Sequence, residues 1–161
     1  MKSKLRIGLG EDIHVLVPDR PLILGGVKIP YELGLLGHSD ADVVCHALSD
    51  SLLGALALGD IGHFFPVDDP RYDNADSTKI LEEVYRKIKQ LGYDVVNVDI
   101  NIAAEKPHLA KYLPEMRKNI ASILEIDVED VGIAAMTNEG MDAVGQGKAI
   151  RANAVCLLER K

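Results

Sequence analysis

Residues 6–16, RIGLGEDIHVL, carry an alternation that suits an extended strand. Successive side chains of a strand point to opposite faces, so Gly8, Gly10, Asp12 and His14 share one face, and Ile7, Leu9, Ile13 and Val15 occupy or flank the other. One face is therefore bare backbone that ends in a carboxylate and an imidazole. Taken alone, the pair reads as the polar face of a half-buried strand, with Asp12 and His14 solvated or bonded to each other, because Asp-x-His is short enough to recur by chance.

The rest of the chain interleaves strands and helices. PLILGGVKIP, residues 21–30, reads as a strand broken by a Gly25-Gly26 turn or bulge. A helix follows from an N-cap at Ser39 or Asp40 to a stop at Gly59, and residues 60–74, DIGHFFPVDDPRYDN, read as a loop of a length that is often functional. A second helix starts at Asp76 or Ser77, carries Ile80, Leu81, Val84, Ile88 and Leu91 on one side, and stops at Gly92. Residues 93–105 alternate, with Val96, Val98, Ile100 and Ile102 inward and Asn97, Asp99 and Asn101 outward. A helix over Lys111–Leu124 and strands over 131–137 and 149–159 complete the pattern.

No repeat, low-complexity segment or linker interrupts the 161 residues, so the expectation is one α+β domain spanning 1–161. Its sheet is expected to be mainly antiparallel, with helices packed on one face in a ferredoxin-like arrangement. The polar strand faces left over need water or another subunit. With 47% hydrophobic residues the chain can build a core. Its mean hydropathy of +0.05, the absence of a transmembrane-length run and a start without a signal-peptide pattern predict a cytoplasmic protein. Cys45 and Cys156 lie far apart in apolar surroundings and read as reduced core thiols. The net charge of −7, with no basic stripe interleaved with aromatics, argues against a nucleic-acid partner. A phosphorylated ligand would have to be held by metal ions, backbone amides or helix N-termini.

HSDADVVCH, residues 38–46, is the second polar cluster. Asp42, His46 and Asp50 recur every four residues along a helix whose other positions are Val43, Val44, Ala47, Leu48, Leu52 and Leu53. Ionisable groups on so apolar a helix are costly unless paired or liganded. An Asp42–His46 ion pair is one solution. Ligation is the other: Asp12, His14 and His46 make a three-ligand set of the kind Zn²⁺ accepts with its fourth position open, and Asp50 is placed to orient the His46 imidazole. MTNEG, residues 136–140, reads as an ordinary turn at a strand end, or as a hydroxyl and a carboxylate that hold Mg²⁺ between phosphates.

Together RIGLGEDIH, residues 29–66, NADS, NVDINIAAEKPHL and MTNE resemble the 2-C-methyl-D-erythritol 2,4-cyclodiphosphate synthase family of the non-mevalonate isoprenoid pathway. The resemblance runs end to end and in order. It implies a bacterial cytoplasmic lyase that forms a homotrimer with sites at subunit interfaces. The reaction it implies closes a cyclic diphosphate from a cytidine-diphosphate substrate and expels CMP. By the same resemblance Asp12, His14 and His46 match zinc ligands, and Glu139 the ligand of a second divalent ion, Mg²⁺ or Mn²⁺. His38 and Thr137 match positions that stabilise the transition state, and Ser39 one that holds substrate phosphate. Asp60, Ile61 and Gly62, with Phe65, Asp68 and Asp69, match the segment around the methylerythritol. Ala104, His108, Leu109, Ala110, Ala135 and Met136 match the cytidine pocket. Departures are Leu9 and Glu11 in the first block, His108 where lysine is common, Val67 in place of an acidic residue, and Ala143 and Gln146 where an aromatic and an arginine are expected. Two competing readings are a zinc phosphohydrolase and a trimeric phosphometabolite-binding protein without turnover.

Overall fold

A computed structural model describes residues 2–161. The long strand β1 (Leu5–Pro18) opens the chain and is followed by the hairpin β2 (Leu22–Leu24) and β3 (Val27–Ile29), which turns at Gly25 and Gly26, both at positive φ. Glycine adopts that conformation without the cost a Cβ would impose. A three-residue strand, β4 (Leu33–Leu35), returns beside the end of β1 and is too short to show any period in the sequence.

Helix α1 (Val43–Ala55) starts later than its N-cap signals suggested and ends earlier than Gly59. The cap is Asp42, because its carboxylate accepts the amides of Val44 and Cys45 and also those of Gly25 and Gly26 in the β2–β3 turn. Asp42 therefore precedes the helix and forms no ion pair with His46. The segment 60–74 is less irregular than expected: it holds a one-turn helix, α2 (Ile61–Phe64), capped by Asp60, and a 3₁₀ turn at Pro70–Tyr72. Helix α3 (Ser77–Gln90) starts at its Asp76 cap and buries Ile80, Leu81, Val84 and Ile88.

Strand β5 (Tyr93–Ala103) carries a bulge between Val95 and Asn97, which shifts the alternation by one residue. Val95 is consequently buried and Val96 turned outward, contrary to the simple period, whereas Val98, Ile100 and Ile102 point inward as expected. Helix α4 (Leu113–Leu124), entered through a 3₁₀ turn at Ala110–Tyr112, leads to β6 (Val131–Met136). The one-turn α5 (Asp142–Gly145) precedes the closing strand β7 (Ala149–Arg160).

The five-stranded sheet has the order β4-β1-β7-β5-β6, and every neighbouring pair is antiparallel except β5 and β6. A single α+β unit with a mixed sheet results. The ferredoxin-like expectation fails because helix α4 crosses between two parallel strands and β6 and β7 then follow without a helix of comparable length, which breaks the β-α-β-β-α-β order. Helix α1 lies on β1 and β7, against the face that carries Gly8 and Gly10. A Cβ at Gly8 would fall 1.8 Å from the Ser51 carbonyl oxygen, so helix and strand backbones are in direct contact there. The opposite face of β1 is uncovered: Ile7 is 74% exposed and Leu9 70%, with Ile13 and Val15 beside them.

Candidate metal centre and adjoining clefts

The contact between α1 and β1 carries Asp12 and His46 together. Asp12 Oδ2 lies 2.9 Å from His14 Nε2 and 3.0 Å from His46 Nδ1, and one ligand atom from each of the three residues falls within 4.8 Å of the others. Asp12 and His14 are two positions apart along β1, so the strand period aims both at the helix, and His46 comes down from α1 to meet them.

The distal ring nitrogens show which atoms face inward. His14 Nδ1 is 2.8 Å from the Leu36 carbonyl, which only accepts, so this nitrogen carries the proton and Nε2 keeps its lone pair. Nε2 is buried, and although it lies at hydrogen-bonding distance from Asp12 it has no hydrogen-bond partner. His46 Nε2 faces the hydroxyls of Ser77, at 2.8 Å, and Ser39, at 3.1 Å. A carboxylate and two imidazole nitrogens thus converge from three directions, and such a set is completed by a cation. Without an ion, the charges of the group pair among themselves. Burial alone would raise the Asp12 carboxyl, yet the imidazoles of His14 and His46 bring it down to about 2, and Asp12 in turn lifts His14 above its ordinary value. The donor set fits a divalent ion.

A cavity of about 250 Å³ opens beside the group and is lined by His38, Ser39, Ile61, Gly62 and Phe65 from the sequence-derived set. Pro66, Val67, Tyr72 and Ile80 complete its apolar wall. Asp60, Asp68 and Asp69 stand outside this lining: Asp60 accepts the His63 amide, Asp68 is exposed, and Asp69 is held below its usual range by Arg71 at 2.6 Å. Asp50 does not orient His46. Its Oδ1 accepts the Ile61 amide at 2.8 Å, and both His46 ring nitrogens are engaged elsewhere, Nδ1 by Asp12 and Nε2 by Ser77 and Ser39.

A second cleft, of about 200 Å³, is lined by Ala104, His108, Leu109, Ala110, Ala135, Met136 and Thr137. It shares no lining residue with the first. Register runs Asp12 to Ala152, Ala152 to Ile102 and Ile102 to Ala135, so the two clefts lie at one level of the sheet but three strand spacings apart, roughly 14 Å. Glu139, exposed and at positive φ just beyond β6, joins neither lining nor the metal-capable group of this chain. Its loop is fastened by Glu105, whose Oε1 accepts the Asn138 and Gly140 amides.

Sequence reasoning did not assign Ser77, Asp40 or the Leu36 carbonyl to the site. Ser77 reads as a helix cap, and its sequence separation of 31 from His46 conceals the contact that α3 makes when it packs beside α1.

A family model described as the YgbB family matches residues 5–159. The 2-C-methyl-D-erythritol 2,4-cyclodiphosphate synthase of Moorella thermoacetica is 54% identical over 154 residues, covering 96% of this chain and 94% of that protein. Among solved structures, the bifunctional IspDF of Campylobacter jejuni is similar with a TM-score of 0.95 at 34% identity, over 99% of this chain; this chain spans only 43% of that one. An IspF from Plasmodium falciparum, solved as a CDP complex, is similar with a TM-score of 0.87 at 36% identity, over 100% of this chain and 99% of that one.

Proposed function

The chain belongs to the YgbB family, and from that premise we propose that it converts 4-diphosphocytidyl-2-C-methyl-D-erythritol 2-phosphate to 2-C-methyl-D-erythritol 2,4-cyclodiphosphate and CMP. It is then a phosphorus-oxygen lyase of the non-mevalonate isoprenoid pathway. The observation that carries this reading is the convergence of Asp12, His14 and His46 beside a cavity, in a chain 54% identical over 154 residues to a protein bearing that synthase name.

In the reaction an oxygen of the 2-phosphate bonds to the β-phosphorus, the bond from that phosphorus to the oxygen bridging it to the α-phosphate breaks, and CMP leaves with the electron pair. Both phosphates are anionic, so attack requires neutralisation and alignment. We assign Zn²⁺ to Asp12, His14 and His46, and Mg²⁺ or Mn²⁺ to Glu139; bound there, the ions supply the positive field that an acidic protein otherwise lacks. His38 and Ser39, in the lining of the first cavity, hold the phosphate charge as it moves. Ile61, Gly62 and Phe65 shape the wall against the methylerythritol, with Asp60, Asp68 and Asp69 taking its hydroxyls from the flanking loop. The second cleft takes cytidine between Ala104, His108, Leu109, Ala110, Ala135 and Met136, with the Thr137 hydroxyl steadying the diphosphate.

We assign a homotrimer in which the first cleft of one subunit faces the second cleft of its neighbour. Two features support it: the apolar face of Ile7, Leu9, Ile13 and Val15, and the separation of the clefts within one chain. A cytoplasmic setting agrees with Cys45 and Cys156, which are free and buried. No helix among the described residues is long and apolar enough to cross a membrane.

Phosphorus NMR of the purified protein with this substrate, zinc and magnesium tests the assignment. CMP and a cyclic diphosphate are expected. A linear, water-derived product would replace the reading by a zinc phosphohydrolase, and bound but unchanged substrate by a binding protein.

A further inference from the structure

We propose that Asp40 and Ser77 form a positioning relay that fixes the His46 imidazole in the tautomer its ligand role requires. The relay deepens the metal reading of Asp12, His14 and His46 and rests on it. Ser77 Oγ donates its only proton to Asp40 Oδ1, and the same carboxylate accepts the Ser77 amide on Oδ2 at 3.1 Å and the Asp42 amide on Oδ1 at 3.1 Å. An ionised carboxylate cannot return a proton. The Ser77 oxygen therefore turns only lone pairs toward His46 Nε2, 2.8 Å away, and Nε2 must donate. A neutral imidazole has one proton to place, so with Nε2 protonated Nδ1 is left bare, and it is Nδ1 that lies 3.0 Å from Asp12 Oδ2.

The same logic serves His14 through a different partner, the Leu36 carbonyl at 2.8 Å from Nδ1. Each imidazole is thus locked from behind by an acceptor, one from backbone and one from a carboxylate acting through a hydroxyl. Ser77 and His46 are both buried, so water does not substitute for the hydroxyl. Ser39 Oγ, at 3.1 Å from the same nitrogen, already accepts the Ala41 amide and has no carboxylate behind it, so it is the weaker partner. Asp40 lies two residues before the Asp42 cap of α1 and Ser77 opens α3, so the relay also ties the first turn of α3 to the metal-bearing end of α1.

Zinc affinity of the zinc-free protein, measured by competition with a chromophoric chelator, tests the relay. Ser77→Ala is expected to weaken binding about 10–100-fold, the usual cost of losing an outer partner of a ligand. Asp40→Ala, which keeps the Ser77 hydroxyl but removes the acceptor of its proton, is expected to weaken it by a similar factor. A purely structural role would lower the unfolding midpoint of zinc-free and zinc-loaded protein alike. The relay instead shrinks the gain in midpoint that zinc confers, and it changes the absorption spectrum of the cobalt-substituted protein. If the unaltered protein binds zinc and both variants bind it within about twofold as tightly, the relay is overturned while the metal reading stands. If the unaltered protein takes up no zinc, the metal reading itself fails and the relay with it.

Discussion

Gly10 lies directly beneath Ala47: a Cβ added to the glycine would stand 1.8 Å from the Ala47 carbonyl oxygen and 2.7 Å from the Ser51 amide nitrogen. The backbone contact sets the distance from Asp12, two residues along the strand, to His46, one residue before Ala47 on the helix. Gly10→Ala must push α1 off the sheet, and overpacking of this kind costs about 1–3 kcal/mol or more. We expect a lower urea midpoint together with weaker zinc binding. Gly54→Ala is the control, since a Cβ there meets only the Leu9 carbonyl at 3.7 Å. It should be neutral or stabilising by up to about 1 kcal/mol.

His46→Ala removes one of three ligands and leaves Asp12 paired with His14 alone. Zinc binding and turnover should be lost together, while circular dichroism and sedimentation show an unchanged fold and assembly. Retention of stoichiometric zinc by this variant would exclude His46 as a ligand.

Leu9, 70% exposed on the uncovered face of β1, tests the proposed assembly. In an isolated subunit Leu9→Glu would change stability by no more than about 0.5 kcal/mol. At a subunit interface the same carboxylate is desolvated without a partner. Sedimentation equilibrium should then report folded monomers without turnover; an unchanged mass would place the contact elsewhere.

Asp42 is fully buried, and its two oxygens accept four amides, those of Gly25, Gly26, Val44 and Cys45. Asp42→Ala strands all four, at a cost of about 1–3 kcal/mol for each donor left unsatisfied. The expected outcome, read by urea unfolding, is a loss of several kcal/mol or failure to fold, although the Asp42 carboxylate bonds no ligand of the metal group.

The phenols of Tyr93 and Tyr85 should titrate apart. Arg160 holds Tyr93 below the ordinary tyrosine value, whereas burial, with Glu125 beside it, pushes Tyr85 up to about 12. A folded value raised above the unfolded one contributes stability that is complete below about pH 10 and lost as pH rises toward 12. Tyrosinate absorbance should show Tyr93→Phe removing the earliest step and Tyr85→Phe the last, and Tyr85→Phe should blunt the alkaline loss of stability.

Much of this was legible in the chain. The period of two along β1 aims Asp12 and His14 at one point, and the buried helix that carries His46 demands a partner for it. Strand and helix order also follow from the apolar periods. The departures have local causes. Asp42 became a cap because it serves the Gly25-Gly26 turn as well as α1, a tertiary gain invisible to a local capping rule. Val96 turned outward because one extra residue in β5 puts the stretch before Asn97 out of phase with the period of Val98, Ile100 and Ile102. Asp50 lost His46 to the Ile61 amide at the start of α2, and Ser77 gained it through the packing of α3 beside α1. The parallel pairing of β5 and β6 is a matter of connection, which period alone does not encode.

The two clefts have no residue in common, and that separation has a genetic meaning. An allele damaged at Asp12 keeps its Ala104–Thr137 cleft chemically whole, and one damaged at His108 keeps its Asp12–His46 cavity. Where neighbouring subunits pair one cleft with the other, chains from these two inactive alleles complement when expressed together. Two alleles damaged in the same cleft do not.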